Sequence, residues 1–307
     1  MKQKIFFSLF LIFGLLIYSA IAESETAQAT PKQVQVGLYI LNLGKFDVAT
    51  GTFTADFYLN LKCDSNCSVD RFEFMNGRAA TTDKIIDTPN EKFYRIQANL
   101  NNPVDLKNFP FDSQKIQIIL EDKDQSDSKL QYVPIKDQSG IDKAVSLIGW
   151  NLNGWSVEEK KHEYSLYGET YSQYVFTMDI ARLPVNSFIK TILPVLFIVI
   201  VILSSFVLDT DKINTRLTMA GSSLVASVMF HVSINNQIPP VGYLTFGDKF
   251  MILTYIILVI SFITNIVLIE LIERKKTELA EKIHRMTEFS VLIIFPLMYV
   301  LLFLFLF

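Results

Sequence analysis

The sequence predicts two parts in series: an extracytoplasmic all-β, immunoglobulin-like sandwich, then a bundle of four transmembrane helices. Three observations carry that expectation. The chain has 307 residues, half of them hydrophobic, with a mean hydropathy of +0.31. Its apolar residues are unevenly placed: the stretch from about Glu23 to Arg182 is polar and strand-like, whereas Phe188 to Phe307 is dominated by long apolar runs. The first residues also have the layout of a secretory signal.

That signal is expected over residues 1–22. Lys2 and Lys4 form a basic n-region, Ile5 to Ile17 an apolar h-region, and Ala20-Ile21-Ala22 an A-x-A cleavage site. A retained anchor helix is the competing reading, but the apolar run falls short of the roughly 20 residues that span a bilayer. The mature chain then starts near Glu23, outside the cytoplasm, with the sandwich over 23–184 and the membrane part over 185–307.

Within 23–184, short segments alternate apolar and polar residues. Gln33–Leu43, Phe53–Leu61, Phe93–Leu100, Lys115–Leu120, Val157–Tyr167 and Tyr171–Ile180 read as strands. Turn residues such as Ala49-Thr50-Gly51 and Tyr167-Gly168-Glu169 separate them. No helical period competes, so a sandwich is predicted.

The membrane part predicts helices over about 188–208, 217–238, 250–272 and 289–307. The second holds Thr218, Ser222, Ser223, Ser227 and His231, so it is stable in lipid only with its polar face turned inward. The link before the last helix carries Arg274, Lys275, Lys276, Lys282, His284 and Arg285, the densest basic cluster. The positive-inside rule puts it in the cytoplasm. A multi-pass protein of the cell membrane follows, with the N-terminal part and the C-terminus both extracytoplasmic.

The two cysteines, Cys63 and Cys67, suit a structural disulfide closing a tight loop in an oxidising compartment; two free thiols or half a metal site are the alternatives. No further Cys or His lies nearby to complete a zinc set. Nucleophile motifs and phosphate loops are missing, and His162, His231 and His284 are expected outside the cell, mid-membrane and on the cytoplasmic side, where they cannot converge. An enzyme, a metal centre or a cofactor is therefore not expected. The net charge of −3 and the absence of a basic patch give no reason to expect nucleic acid.

On the second helix, Thr218, Ser222, Val225, Met229, Val232 and Asn236 step by four or three residues and share one stripe. Gly221, Ser223, Ala226 and Ser227 flank it with small side chains. Two readings stand at this point. The helix is either buried inside a bundle with its hydroxyls bonded to its own backbone, or repeated about an axis. In the second arrangement hydroxyl rings replace ion hydration and the Val225, Met229 and Val232 rings close by dewetting.

Asp105-Leu106-Lys107-Asn108-Phe109-Pro110-Phe111-Asp112-Ser113-Gln114 closely resembles the signature loop of the pentameric ligand-gated ion channels. Animal members flank that loop with cysteines and prokaryotic members usually do not; Asn99 and Asp122 mark the flanks here. Two further stretches are similar to the family: Arg182 with Phe188-Ile189-Lys190-Thr191-Ile192-Leu193-Pro194 at the membrane entry, and Asn236-Gln237-Ile238-Pro239-Pro240 before Tyr243-Leu244-Thr245.

The resemblance covers nearly the whole mature chain. It implies a homopentamer with a central pore lined by the stripe, and gating carried from sandwich to membrane. It implies a buried Asp112–Arg182 pair at the junction, joined by Asp47, in which losing one partner costs roughly 3–5 kcal/mol; Asp112 merely capping a turn is the alternative. It also has Phe109, Pro110 and Phe111 pressing on Pro239 and Pro240.

Departures from the family are visible too. The Trp-x-Pro element of the ligand site is missing or shortened between Cys63 and Phe93. Trp150, Trp155, Tyr164, Tyr167, Tyr171 and Tyr174 remain as possible ligand-site aromatics, which would attract a cationic amine, or as core residues. No acidic ring stands at the cytoplasmic mouth, where Asn214, Thr215 and Arg216 lie; Asp209 and Asp211 precede it.

The expected function is passive ion conduction across the lipid bilayer, cations slightly favoured, gated by an extracellular small molecule or by protons. A non-conducting membrane receptor of the same fold is the alternative.

Overall fold

The computed structural model describes residues 30–64, 69–209 and 212–304. The expected signal segment, Cys67 and Asp211 lie outside them. Ten strands come first: β1 Lys32–Leu43, β2 Thr52–Lys62, β3 Phe72–Phe74, β4 Gly77–Asp87, β5 Glu91–Asn101, β6 Ser113–Asp122, β7 Leu130–Pro134, β8 Gly140–Ile141, β9 Trp150–Tyr164 and β10 Glu169–Arg182. They form two sheets, β4-β5-β2-β1-β7 with β8 beside β1, and β3-β6-β10-β9. The pairs are antiparallel except β1 with β7 and β8, which run parallel.

Alternation places the core between the sheets. Phe53, Ala55, Phe57, Leu59 and Leu61 of β2 face Ile116, Ile118 and Leu120 of β6 and Tyr174, Phe176, Met178 and Ile180 of β10 in one buried cluster. Each fully buried Leu, Ile or Phe contributes roughly 1.5–3 kcal/mol. The sequence pattern does not announce β3, β4 or β7. Strand β4 lies at a sheet edge and is exposed along both faces, so no face has to be apolar and the period-2 signal vanishes.

Four helices follow, each long and apolar enough to cross a membrane: α1 Pro184–Ser205, α2 Ile213–Asn235, α3 Phe246–Glu273 and α4 Thr277–Leu304. The chain is a multi-pass membrane protein. In α1 the turn Phe188–Ile192 is a π-helix, immediately before Pro194. Proline lacks the N–H that would close the regular turn, and a wider turn spares the preceding carbonyl a clash.

Helix α4 begins twelve residues earlier than its apolar run predicts. The link to α3 is only Arg274, Lys275 and Lys276, with Lys275 in the left-handed region (φ 57°), so Lys282, His284 and Arg285 lie on the helix itself. Thr277 to Glu288 is polar but rich in Glu, Lys, Leu, Ala and Arg, all good helix formers. Hydropathy locates the lipid-spanning run, and the helix continues past it.

Candidate functional site

The loop between β5 and β6 carries the Phe-Pro-Phe-Asp segment, with a cis Phe109–Pro110 bond. Asp112 is buried, and Arg182, the last residue of β10, donates from Nε to its Oδ1 at 2.5 Å. The backbone repeats the tie, Arg182 N–H donating to Asp112 O at 3.1 Å. The other carboxylate oxygen, Oδ2, accepts from Gln114 Nε2 at 2.8 Å, and Gln114 also bridges to the Asp105 backbone. The Arg182 guanidinium lies over the rings of Phe109 (5.1 Å) and Trp150 (4.6 Å). Both partners of the pair are thus hydrogen-bonded, the condition under which a buried ion pair persists.

Asp47 does not join this pair. Its carboxylate closes its own turn, accepting from Ala49 N–H and Thr50 Oγ1 at 3.0 Å each. Those two bonds, the backbone one first, hold it below the usual carboxylate range. An Asp followed by Ala-Thr-Gly is a self-capping turn, and that local demand wins.

The loop docks on α3. Phe246 N–H donates to Lys107 O (2.8 Å) and Gly247 N–H to Phe109 O (2.9 Å), so the loop's carbonyls satisfy two of the orphan donors of the helix's first turn. Thr245 and Asp248 close a capping box at the same end. Leu106 N–H donates to Tyr243 Oη at 2.8 Å, and the Phe111 ring meets Phe246 (5.9 Å) and Phe303 (6.3 Å) edge-on. Phe109, Pro110 and Phe111 are expected from the sequence to press on Pro239 and Pro240; the loop's hydrogen bonds fall on Tyr243, Phe246 and Gly247. Proline has no N–H to offer, whereas a helix start has several.

On α2 the six stripe residues Thr218, Ser222, Val225, Met229, Val232 and Asn236 are all exposed, Val225 at 61% and Met229 at 70%. The opposite face, Ala220, Ser223, Ser227 and Ile234, is buried against the other helices. Arg216 goes with the buried face: its guanidinium lies over the Phe206 ring (4.9 Å), and its Nη1 is 3.3 Å from His284 Nδ1. The cation is therefore turned away from the stripe. His231 sits between the two faces, its Nδ1 3.0 Å from Tyr255 Oη and its Nε2 3.2 Å from Asp248 Oδ1.

The six aromatics expected near a ligand divide. Trp150 stacks on Arg182 at the junction, Trp155 lies flat on Phe176 (5.4 Å, 5°) and Tyr174 is fully buried; these three are core and junction residues. Tyr164, Tyr167 and Tyr171 stay together at the β9–β10 hairpin, Tyr164 edge-on to Tyr171 at 5.5 Å. Tyr164 Oη donates to buried Glu121 at 2.9 Å, as does Gln173 at 2.7 Å, and His162 Nδ1 is 2.9 Å from the same carboxylate. Burial first, and that bond second, push the Tyr164 hydroxyl up to about 12.

Sequence reasoning passed over Glu121, whose role depends on cross-strand register, and Asp248, whose Thr-x-x-Asp spacing was a readable capping signal. Cys63 is disulfide-bonded; its expected partner lies outside the described residues.

No family model matches the chain. Three curated proteins do. A proton-gated ion channel of Gloeobacter violaceus is 22% identical over 252 residues, covering 74% of this chain and 70% of that one. Ligand-gated ion channel 50 of Caenorhabditis elegans is 24% identical over 53% of this chain. The pH-sensitive chloride channel 2 of Drosophila melanogaster is 27% identical over 50%. The chain spans about a third of the length of those two animal proteins. All three are ion channels rather than enzymes. With the sandwich, the four helices and the Phe-Pro-Phe-Asp loop seated on the third of them, the chain is similar in sequence and architecture to the pentameric ligand-gated ion channels.

Proposed function

We propose that this chain is one subunit of a homopentameric channel whose α2 helices surround a central pore. The observation that carries the reading is the division of α2: the stripe from Thr218 to Asn236 is exposed while the face behind it is packed. A helix with hydroxyls at one end of its open stripe and Val225, Met229 and Val232 further along has the polarity of a hydrated filter followed by a dewetting constriction. The sandwich lies outside the cell, and the Phe109 to Asp112 loop passes its movement to α3.

Cations are the favoured ions. Arg216, the one cation of α2, is buried beneath Phe206 and His284 rather than standing on the stripe, and Thr218 and Ser222 offer oxygen ligands. Protons are the first agonist to try, since one relative is named a proton-gated channel and another a pH-sensitive one. The hairpin group Tyr164, Tyr167 and Tyr171 is the place for a small-molecule agonist.

The test is reconstitution of the full chain in planar bilayers with pH steps and an amine panel under a salt gradient. Currents reversing toward the cation equilibrium potential are expected. Reversal toward the anion potential overturns the selectivity, and silence under every condition favours a non-conducting receptor.

A further inference from the structure

We propose that His231 and Asp248 form a proton-strengthened tie between the pore helix and the sandwich-docked first turn of α3, and so set how the stripe follows the sandwich. The proposal rests on the channel reading for its function, and its geometry is independent of that reading.

Asp248 occupies two structures at once. Its Oδ2 accepts from the Thr245 backbone N–H (2.9 Å) and from Thr245 Oγ1 (2.8 Å), and Thr245 Oγ1 accepts in return from Asp248 N–H (3.1 Å). That box fixes the turn whose next two N–H groups, Phe246 and Gly247, are held by the loop carbonyls of Lys107 and Phe109. The remaining oxygen, Oδ1, faces His231 Nε2 at 3.2 Å. His231 lies on α2 between Met229 and Val232, two residues of the exposed stripe. A polar connection from loop to stripe therefore runs through this carboxylate and this imidazole, beside the apolar contacts of Leu106, Phe109 and Ile234.

Both ring nitrogens are engaged, Nδ1 with Tyr255 Oη at 3.0 Å. Neutral imidazole fits these partners by donating from Nε2 to Asp248 and accepting the Tyr255 hydroxyl proton at Nδ1. Imidazolium donates from both nitrogens, and its contact with Asp248, already charge-assisted by the carboxylate, becomes an ion pair between two charged groups. Protonation moves no heavy atom: the Tyr255 hydroxyl turns its proton away and accepts from Nδ1, while the tie to Asp248 strengthens.

The titratable and charged groups facing His231 are few. Helix α3 presents Asp248 and Tyr255. Lys249, beside Asp248, makes no ion pair among the described residues, and α2, α1 and α4 supply no other ionisable side chain in contact with this imidazole among those residues. A conformation that holds the pair together binds the proton better than one that separates it, so acid favours the tied arrangement.

The experiment uses the full chain in lipid vesicles, with His231→Gln, Asp248→Asn and the double substitution. Gln can still hydrogen-bond, and Asn can still accept in the capping box. Each single substitution is expected to shift the proton concentration for half-maximal current by threefold or more, and the double variant by no more than the larger single shift. In parallel, the ring resonances of the three histidines are recorded at pH 5. Asp248→Asn is expected to move the His231 signal and to leave those of His162 and His284 in place.

A His231 signal indifferent to Asp248→Asn overturns the tie, whatever the currents do. A responsive signal with wild-type proton dependence in all variants overturns its role in gating. A responsive signal in a chain that passes no current overturns the channel reading instead and leaves the tie standing.

Discussion

Asp112 and Arg182 show how one side-chain pair specifies a junction. Asp112 has both oxygens occupied, and Arg182 is clamped between two aromatic faces. Asp112→Ala leaves a guanidinium over Phe109 and Trp150 without its counter-ion, which costs about 3–5 kcal/mol where a buried pair is broken. Thermal unfolding of the solubilised protein reads that loss as a lowered melting temperature, and an unchanged one removes the pair from the stability of the sandwich. Arg182→Lys is expected to fail as well, because an ammonium neither stacks nor keeps the planar fork.

Asp122 is the opposite case. Its Oδ1 accepts the N–H groups of Asp124 (2.9 Å) and Gln125 (2.8 Å), whereas Oδ2 is buried and has no hydrogen bond among the described residues. Burial pushes its carboxyl above the usual carboxylate range, against the pull of those two bonds. The folded state then binds this proton more tightly than the unfolded chain. The contribution to stability grows as pH falls through the raised value, and the penalty stands in full at neutral pH. Asp122→Asn keeps the Oδ1 acceptor and discards the charge. It is expected to raise the melting temperature at pH 7 and to flatten its rise on acidification to pH 5. A variant that keeps the wild-type pH slope would sink this assignment.

At the scale of elements, the stripe of α2 carries its own prediction. If Val225 forms the constriction, Val225→Ser adds hydroxyls to the ring and weakens dewetting, so single-channel recordings should show more opening without agonist. Unchanged gating places the constriction elsewhere, Met229 being next.

The stripe was legible because a helix repeats at 3.6 residues and the spacing of Thr218 to Asn236 honours that period. The six longest alternating runs were legible for the same kind of reason. What stayed hidden has a physical cause in each case. Strand β4 has no buried face to pattern. The start of α4 is polar, so the apolar run marks only part of it. Asp47 and the Pro239-Pro240 pair look like junction residues by their place in the chain, but backbone donors decided where the loop settled, and side-chain identity records those only indirectly. Trp150 has one appearance in sequence for a ligand cage and for an arginine stack.

At the scale of the whole molecule, the chain leaves one face of α2 uncovered. Val225, Val228, Met229 and Val232 stand exposed on α2, and among the described residues no other helix covers them. Lipid would accept the valines but would leave the Thr218, Ser222 and Asn236 side chains of the same stripe in hydrocarbon. Closing the stripes around an axis removes that conflict, since water or ions then meet the hydroxyls and neighbouring helices cover the flanks.

The arrangement makes a directional prediction. Met229→Cys introduces a thiol into a chain whose Cys63 is already disulfide-bonded. If the stripes converge, mild oxidation should join two chains through that thiol, giving a dimer band on a non-reducing gel, with native mass spectrometry reporting an assembly of five chains. Ile263→Cys, on an exposed position of α3 (53%), serves as the comparison and should cross-link far less. Equal cross-linking at both positions, or an assembly of another size, would mean that α2 does not face a common axis. The division between its open and packed faces would then have to be explained by lipid or by a different partner.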